Sequence, residues 1–319
     1  MAELNYNALT ATTRKYFIPS LVDQVFNETP LLKYLQARDE PVPGGHKIVQ
    51  PLLYGTNTHG GSYRGYDTLD IGPTDEITAV EYDWKGLYIT VTISQDEIDQ
   101  NRGSLAVLNL LRTKMDVARR SLSQIFTRQL FGDGTGNGGK DLDGLLNTID
   151  DGTNYPVYGL SRIDYPWWRS QYMDLQGQPV TLRQINKMIL ACSASTTSEK
   201  PDVAFTTPDI WEYLHYLAEQ KVDVSRSTTG PKKVDLGFDS FVYRGVEFIY
   251  DEACPEGMIF FLNTDYIKLR PHVSYVNFKT TDWMKPTNQD AAIMRIHWKG
   301  NLCVSQARRL GKMVNVGIE

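Results

Sequence analysis

One uninterrupted stretch, Ser104 to Phe131, constrains the fold more than any other part of the chain. Its apolar positions fall at Leu108, Leu111, Met115, Ala118, Leu122 and Ile125, in steps of three and four, and neither Pro nor Gly breaks it. That spacing draws an apolar stripe along one side of a helix and leaves Arg112, Asp116, Arg119 and Ser123 towards its flanks. Ser104 suits the cap of the first turn, and Gly132 suits the left-handed residue that closes many helices. At about 1.5 Å per residue such a helix spans roughly 40 Å, well beyond the globular average. A rod of that length has to lie against something extended, so a sheet or long hairpin is expected beside it.

Ahead of the helix, residues 1–44 read as an arm with little core of its own. Ser20–Phe26 and Thr29–Leu35 are short helical pieces, the second with Thr29 as cap and Pro30 as first helical residue. Leu31, Leu32 and Leu35 form an apolar face too short to stand alone, which makes them candidate intersubunit contacts. Pro41-Val-Pro-Gly-Gly45 ends the arm. His46–Tyr54 then reads as a strand, and Leu87, Ile89, Val91 and Ile93 alternate with polar residues in a second one. Between them lies a long segment rich in Gly, Thr and Tyr, including His59-Gly-Gly-Ser-Tyr-Arg-Gly-Tyr66. It is too long for a hairpin turn and too poor in aliphatics for a core. Tyr63, Arg64 and Tyr66 are residue types that carry contacts between proteins.

After the helix, Gly134–Lys140 matches the G-x-x-x-x-G-K core of a phosphate-cradling loop, but Asp141 stands where Ser or Thr should bind magnesium. The run also follows a helix, at the negative end of its dipole, instead of preceding one. As a calcium loop, Asp133, Thr135, Asn137 and Gly138 mimic the start, yet the twelfth position is Gly144 where Glu is needed. A glycine turn is the better reading. Residues 151–180 are loop-like and aromatic around Tyr165-Pro-Trp-Trp168. From Thr181 a globular α/β unit follows: a capped helix through Ile185 and Cys192, a strand at 202–206, and a helix opened by Thr207-Pro208 and running to about Gln220. Strands are expected at 240–250, 258–262 and 266–270. Residues 289–316 read as strands returning to the long helix.

Little here points to catalysis. The five histidines are scattered, no nucleophile elbow occurs, and acidic pairs such as Asp75-Glu76, Asp96-Glu97 and Asp251-Glu252 fall at turns or element ends. Cys192, Cys254 and Cys303 are far apart and fit packed thiols of a reducing interior better than a disulfide or zinc site. No cofactor or metal site is assigned. At 319 residues with formal charge −5, the chain is long enough for a substantial core and lacks a global basic field. Arg112, Arg119 and Arg120 on the long helix are candidate DNA-facing side chains, since phosphate contact needs only positive charge. No signal peptide or membrane span is read, so a soluble protein made in the cytoplasm is expected, with no membrane partner.

The order of these pieces resembles the tailed-bacteriophage major capsid proteins, whose Hong Kong ninety-seven-type fold is shared with encapsulins. The resemblance rests on Leu130-Phe-Gly-Asp-Gly-Thr-Gly136 with Leu142-Asp-Gly-Leu145, on Phe205-Thr-Thr-Pro-Asp-Ile-Trp211, and on Val304-Ser-Gln-Ala-Arg308. It implies an α+β capsid fold: a spine helix at 104–131 packed on an extended β-sheet, a protruding β-hairpin loop, an N-terminal arm and an α/β axial domain. Residues 1–44 would be the arm, 45–95 the extended loop, 96–150 with 271–319 the peripheral domain, and 151–270 the axial domain. The resemblance also implies a non-enzymatic shell subunit that forms pentamers and hexamers around double-stranded DNA, assembling in the host cytoplasm. Its partners would be itself, a scaffolding protein, a portal, possible decoration proteins and weakly held DNA. Some relatives form Lys–Asn crosslinks, but no Asn or acid can be placed beside Lys47 or Lys85 from the sequence, so none is assigned. An encapsulin-like compartment is the second reading and a soluble α/β enzyme the third.

Overall fold

The computed structural model describes residues 10–55, 59–69, 72, 75–100, 104–152, 160–193, 199–221 and 240–318. The spine helix runs Ser104–Phe131, the bounds its pattern predicts. Leu111, Met115, Ala118 and Leu122 are buried along it, and the stripe continues to Phe126 and Leu130 while Ile125 is only half covered. A straight helix turns by 3.6 residues, so a stripe of threes and fours drifts, and here it drifts from Ile125 to Phe126. The side chain of Leu108 lies outside the described residues. Gly132 is not left-handed; the positive φ falls two residues later, at Gly134 (φ 75°).

Before the spine come two arm helices, Ile18–Glu28 and Pro30–Gln36. Strands β1 (Ile48–Leu53) and β2 (Ile77–Tyr82) pair antiparallel as an isolated two-stranded ribbon. Strand β3 (Lys85–Ser94) leads to a short helix, Gln95–Gln100, and so to the spine.

Past the spine, β4 (Gln171–Asp174) precedes a helix at Leu182–Ser193 that opens with a reciprocal capping box. Gln184 N–H donates to Thr181 Oγ1 (3.3 Å) while Thr181 N–H donates to Gln184 Oε1 (2.8 Å). Strand β5 (Val203–Thr206) and the helix Pro208–Lys221 follow, then β6 (Ser240–Tyr243) and β7 (Val246–Tyr250). The stretch expected as one strand at 240–250 is thus a hairpin. Arg244 (φ 51°) and Gly245 (φ 77°) turn it, both in the left-handed region that a tight two-residue connection requires. The remaining strands are β8 (Ile259–Leu262), β9 (Ile267–Pro271), β10 (Lys279–Thr280), β11 (Ala291–Val304) and β12 (Gly311–Val314).

Two larger sheets organise these strands. In the first, β11 pairs along 291–300 with β3, on its opposite edge with β10 at 296–297, and with β9 along 300–304. The spine lies against this sheet: Phe126 meets Trp298 edge-on, with ring centroids 4.7 Å apart. The expected extended partner of the rod is therefore β3 with the 14-residue β11. The second sheet has the order β4-β12-β8-β5-β7-β6. Its core includes Ile185, Met188, Phe248 and Phe261. Only part of 289–316 returns to the spine. β11 does, but β12 sits inside the second sheet, parallel to β4 and antiparallel to β8. The expected boundary at 271 therefore does not separate the two sheets.

A buried polar hub fastens the Leu142–Leu145 motif where the two sheets meet. Asp143 accepts from Asn301 Nδ2 (2.6 Å) and lies 3.8 Å from Lys85 Nζ, which also donates to Gly139 O. Structure therefore supplies the acid and the Asn near Lys85 that sequence could not place. Lys312 pairs with Asp150 at 2.9 Å, both fully covered, and burial pushes the Lys312 pKa down against the pull of that carboxylate. Gly144 crosses the end of the spine so closely that a Cβ there would collide with the carbonyl oxygens of Gly132 and Gln129. That contact explains why Gly stands in this motif.

Candidate assembly surfaces

The β1–β2 ribbon follows from alternation. Ile48, Leu52, Val80 and Tyr82 point to a covered face, while Val49, Leu53, Ile77 and Glu81 point outward. Leu53 and Ile77 are direct cross-strand partners at the outer end, 79% and 71% exposed. Lys47 Nζ reaches Glu81 at 3.0 Å. Next to that outer end, Tyr54 stacks on Trp167 with ring centroids 5.3 Å apart, which ties the far end of the ribbon to the aromatic segment around Trp168. Beyond it, Tyr63, Arg64 and Tyr66 are exposed. Their loop is held by a local turn, with Arg64 N–H donating to Asp67 Oδ2 (2.8 Å).

The arm behaves differently. Leu31, Leu32 and Leu35 are 0–2% exposed and belong to the core beneath the spine helix, so they do not present a face to a neighbour. Their apolar face is satisfied by the chain's own spine and β9, a pairing that sequence spacing alone does not reveal. Thr29 does not cap by its side chain; its hydroxyl donates back to Val25 O (3.2 Å). Asp251 accepts the Leu31 N–H instead, and burial raises its pKa despite that bond. Tyr34 OH donates to Glu247 Oε2 (2.7 Å), Arg38 pairs with Asp265 (2.6 Å), and Glu40 takes bonds from Lys268 and Arg270. Val42 adds its backbone to Pro271 O (2.9 Å).

The spine cations divide between two grooves. Arg112 and the half-buried Arg119 line a cleft of about 590 Å³ beside Tyr16, Ser20 and Asp116. Arg120 lines a separate groove of about 950 Å³ with Arg128, Asp251 and Glu252. Each groove contains carboxylates, so neither is a purely cationic track.

Sequence reading missed a third surface, the open face of the first sheet. Arg295, His297 and Lys299 alternate outward along β11, Lys279 stands opposite His297, and Tyr88 stands opposite it on β3. The period of two in Arg-Ile-His-Trp-Lys was the available signal. Burial, then Arg295 and Lys279, pushes the His297 pKa down.

Among the described residues no group of three or more His, Cys, Asp or Glu side chains is placed to hold a metal ion. No helix there is long and apolar enough to cross a membrane. The Gly134–Lys140 turn has consecutive left-handed residues at Asn137, Gly138 and Gly139, and Asp133 is occupied by Thr135 N–H (3.0 Å). All three cysteines are buried, which pushes the Cys192 thiol up to about 12.

A long helix on a sheet, a ribbon standing off it and a separate α/β layer define the shell-forming capsid class. Similar solved structures share that architecture. The cyanophage A-1(L) capsid asymmetric unit is 16% identical with a TM-score of 0.71, covering 92% of this chain and 94% of that one. The holo-SrpI encapsulin of Synechococcus elongatus PCC 7942 is 13% identical with a TM-score of 0.57, covering 91% and 88%. The capsid of a native GTA particle is 11% identical, also at 0.57, covering 89% and 90%. At these identities the likeness shows the fold. No curated protein matches the sequence. The profile described as SU10 major capsid protein matches residues 88–316, and the chain belongs to that family. It is a structural subunit of a viral capsid shell, located in the virion and associating with copies of itself.

Proposed function

We propose that the subunit assembles into pentamers and hexamers of an icosahedral-type shell around double-stranded DNA, with the β1–β2 ribbon and its tip as the element that reaches a neighbour. One observation carries this reading: the ribbon's outer face, through Leu53 and Ile77, is apolar and uncovered by its own chain. An isolated two-stranded ribbon is marginal in water unless something packs on it. Tyr63, Arg64 and Tyr66 extend that surface with residue types that anchor interfaces. In this scheme the spine and first sheet form the peripheral part and the second sheet the axial part around capsomer axes. Scaffolding protein, portal and decoration proteins are its further partners, and assembly takes place in the host cytoplasm. Arg112, Arg119 and Arg120 contact DNA weakly, their grooves being shared with carboxylates.

Deleting residues 59–66 tests the reading. The variant should remain a folded subunit with unchanged circular dichroism and melting, since no aliphatic core residue is removed. It should not form stable particles in negative-stain images. Intact shells of unchanged stability would remove the ribbon from the interface.

A further inference from the structure

The glycine turn after the spine holds Asn137-Gly138, the one Asn-Gly pair in the chain. The peptide nitrogen that follows an Asn can close a succinimide ring on the side-chain carbon Cγ. What opposes this in most folded proteins is the side chain of the next residue and a backbone that cannot turn. Gly138 has no side chain, and a Cβ built there meets nothing within 4 Å. Asn137, Gly138, Gly139 and Lys140 are all exposed.

Asn315 supplies an internal comparison. Its backbone is left-handed like that of Asn137, with φ 51° at both. Its successor, however, is the β-branched and buried Val316. Its Nδ2 also donates to Asp174 Oδ1 (2.9 Å), which holds the amide away from its own main chain. One left-handed Asn is thus locked by its neighbours, and the other stands in open space before a glycine.

We infer that Asn137 is a self-modifying site, which converts without an enzyme to a mixture of aspartate and isoaspartate. The Gly138 nitrogen gives its proton to solvent base and attacks Asn137 Cγ, once rotation from ψ 37° has brought the two together. The Cγ–Nδ2 bond breaks, and the amide nitrogen takes a proton from water and leaves as ammonia. A second water opens the ring at either carbonyl. Opening at Cγ gives aspartate, and opening at the main-chain carbonyl routes the backbone through Cγ as isoaspartate. The net change is one water consumed and one ammonia released. Either product makes the chain one unit more negative than its formal −5. Isoaspartate also lengthens the main chain by a methylene within a pinned turn. Gly139 N–H donates to Thr135 O (3.1 Å), and Lys85 Nζ donates to Gly139 O. A longer backbone shifts Gly139 against Lys85 and so loosens the buried hub beside Asp143.

Holding the folded, full-length subunit at mildly alkaline pH for days tests this. Peptide mapping should show the Asn137 peptide turning acidic, enzymatic methylation should detect isoaspartate there, and native isoelectric focusing should show a more acidic band. Asn137→Gln should show none of these, and Asn315 should stay an amide. Gly138→Ala should convert roughly tenfold more slowly, a barrier about 1.4 kcal/mol higher. An Asn137 that keeps its amide in the folded subunit, while the urea-unfolded chain converts, overturns the inference. Equal conversion at Asn315, or a Gly138→Ala chain as fast as wild type, overturns it as well. The link to the hub has its own readout. Converted subunit rich in isoaspartate should melt below Asn137→Asp, which carries the charge on a normal backbone, and equal melting removes that link.

Discussion

The arm helices and the β1–β2 ribbon are alike in sequence terms: both are short, both carry a few aliphatics, and neither has a core of its own. In the folded chain they part company. Leu31, Leu32 and Leu35 lose nearly all contact with solvent against the spine and β9, whereas Leu53 and Ile77 keep more than two thirds of theirs. Ion pairs and backbone bonds from Arg38, Glu40 and Val42 hold the arm's exit to the body. The ribbon is tied to the body at its base, where Tyr82 OH donates to Val304 O, and near its outer end, where Tyr54 meets Trp167. One segment is covered by its own chain, and the other keeps an exposed apolar pair.

The largest break in this comparison should come from Leu32→Ala. Removing a fully buried side chain costs about 2–5 kcal/mol, visible as a lower urea midpoint of the isolated subunit. Leu53→Ser with Ile77→Ser should change that midpoint by less, about 0.5 kcal/mol, yet reduce the yield of particles on a sucrose gradient. Equal subunit destabilisation by both variants would erase the distinction. A smaller effect is expected from Glu40→Gln. Its carboxyl is held below the ordinary 4.5, chiefly by the bond from Lys268. A depressed carboxylate contributes fully above its unfolded value and loses that contribution as pH falls through the folded one. The side chain is 45% exposed, so wild type should exceed the variant by only about 0.5 kcal/mol at pH 7, and the margin should shrink in paired melts as pH falls below 4.5 and through the lowered folded value. Lys140→Ala, on an exposed turn, should leave melting unchanged, and ATP titration of either protein should release no heat.

How far sequence carried depended on the range of the interactions. The spine's ends were legible because period, breakers and caps are local. Its buried register slipped at Ile125, where helical drift selects Phe126. Tyr63, Arg64 and Tyr66 could be read as exposed because no aliphatic surrounds them. The Leu31–Leu35 face was misassigned because its cover comes from residues about 80 to 240 positions away, and local pattern does not name a distant partner. Strand β12 escaped for the same reason: Gly-Lys-Met-Val fits either sheet by composition, and only pairing with β4 and β8 decides between them. Arg295, His297 and Lys299 were visible as an alternation, but their open face depends on which side the spine takes.

The position of β12 has a bearing on biosynthesis. It fills the slot between β4 and β8, so the six-stranded sheet lacks an inner member until residues 311–314 have left the ribosome. At about 5–20 residues per second, β4 waits several seconds for β12, its one strand neighbour among the described residues. A polypeptide interrupted during translation therefore has an incomplete second sheet, whatever its ribbon and spine have achieved. Completion of this sheet is thus a late event, set by a contact between strands about 140 residues apart.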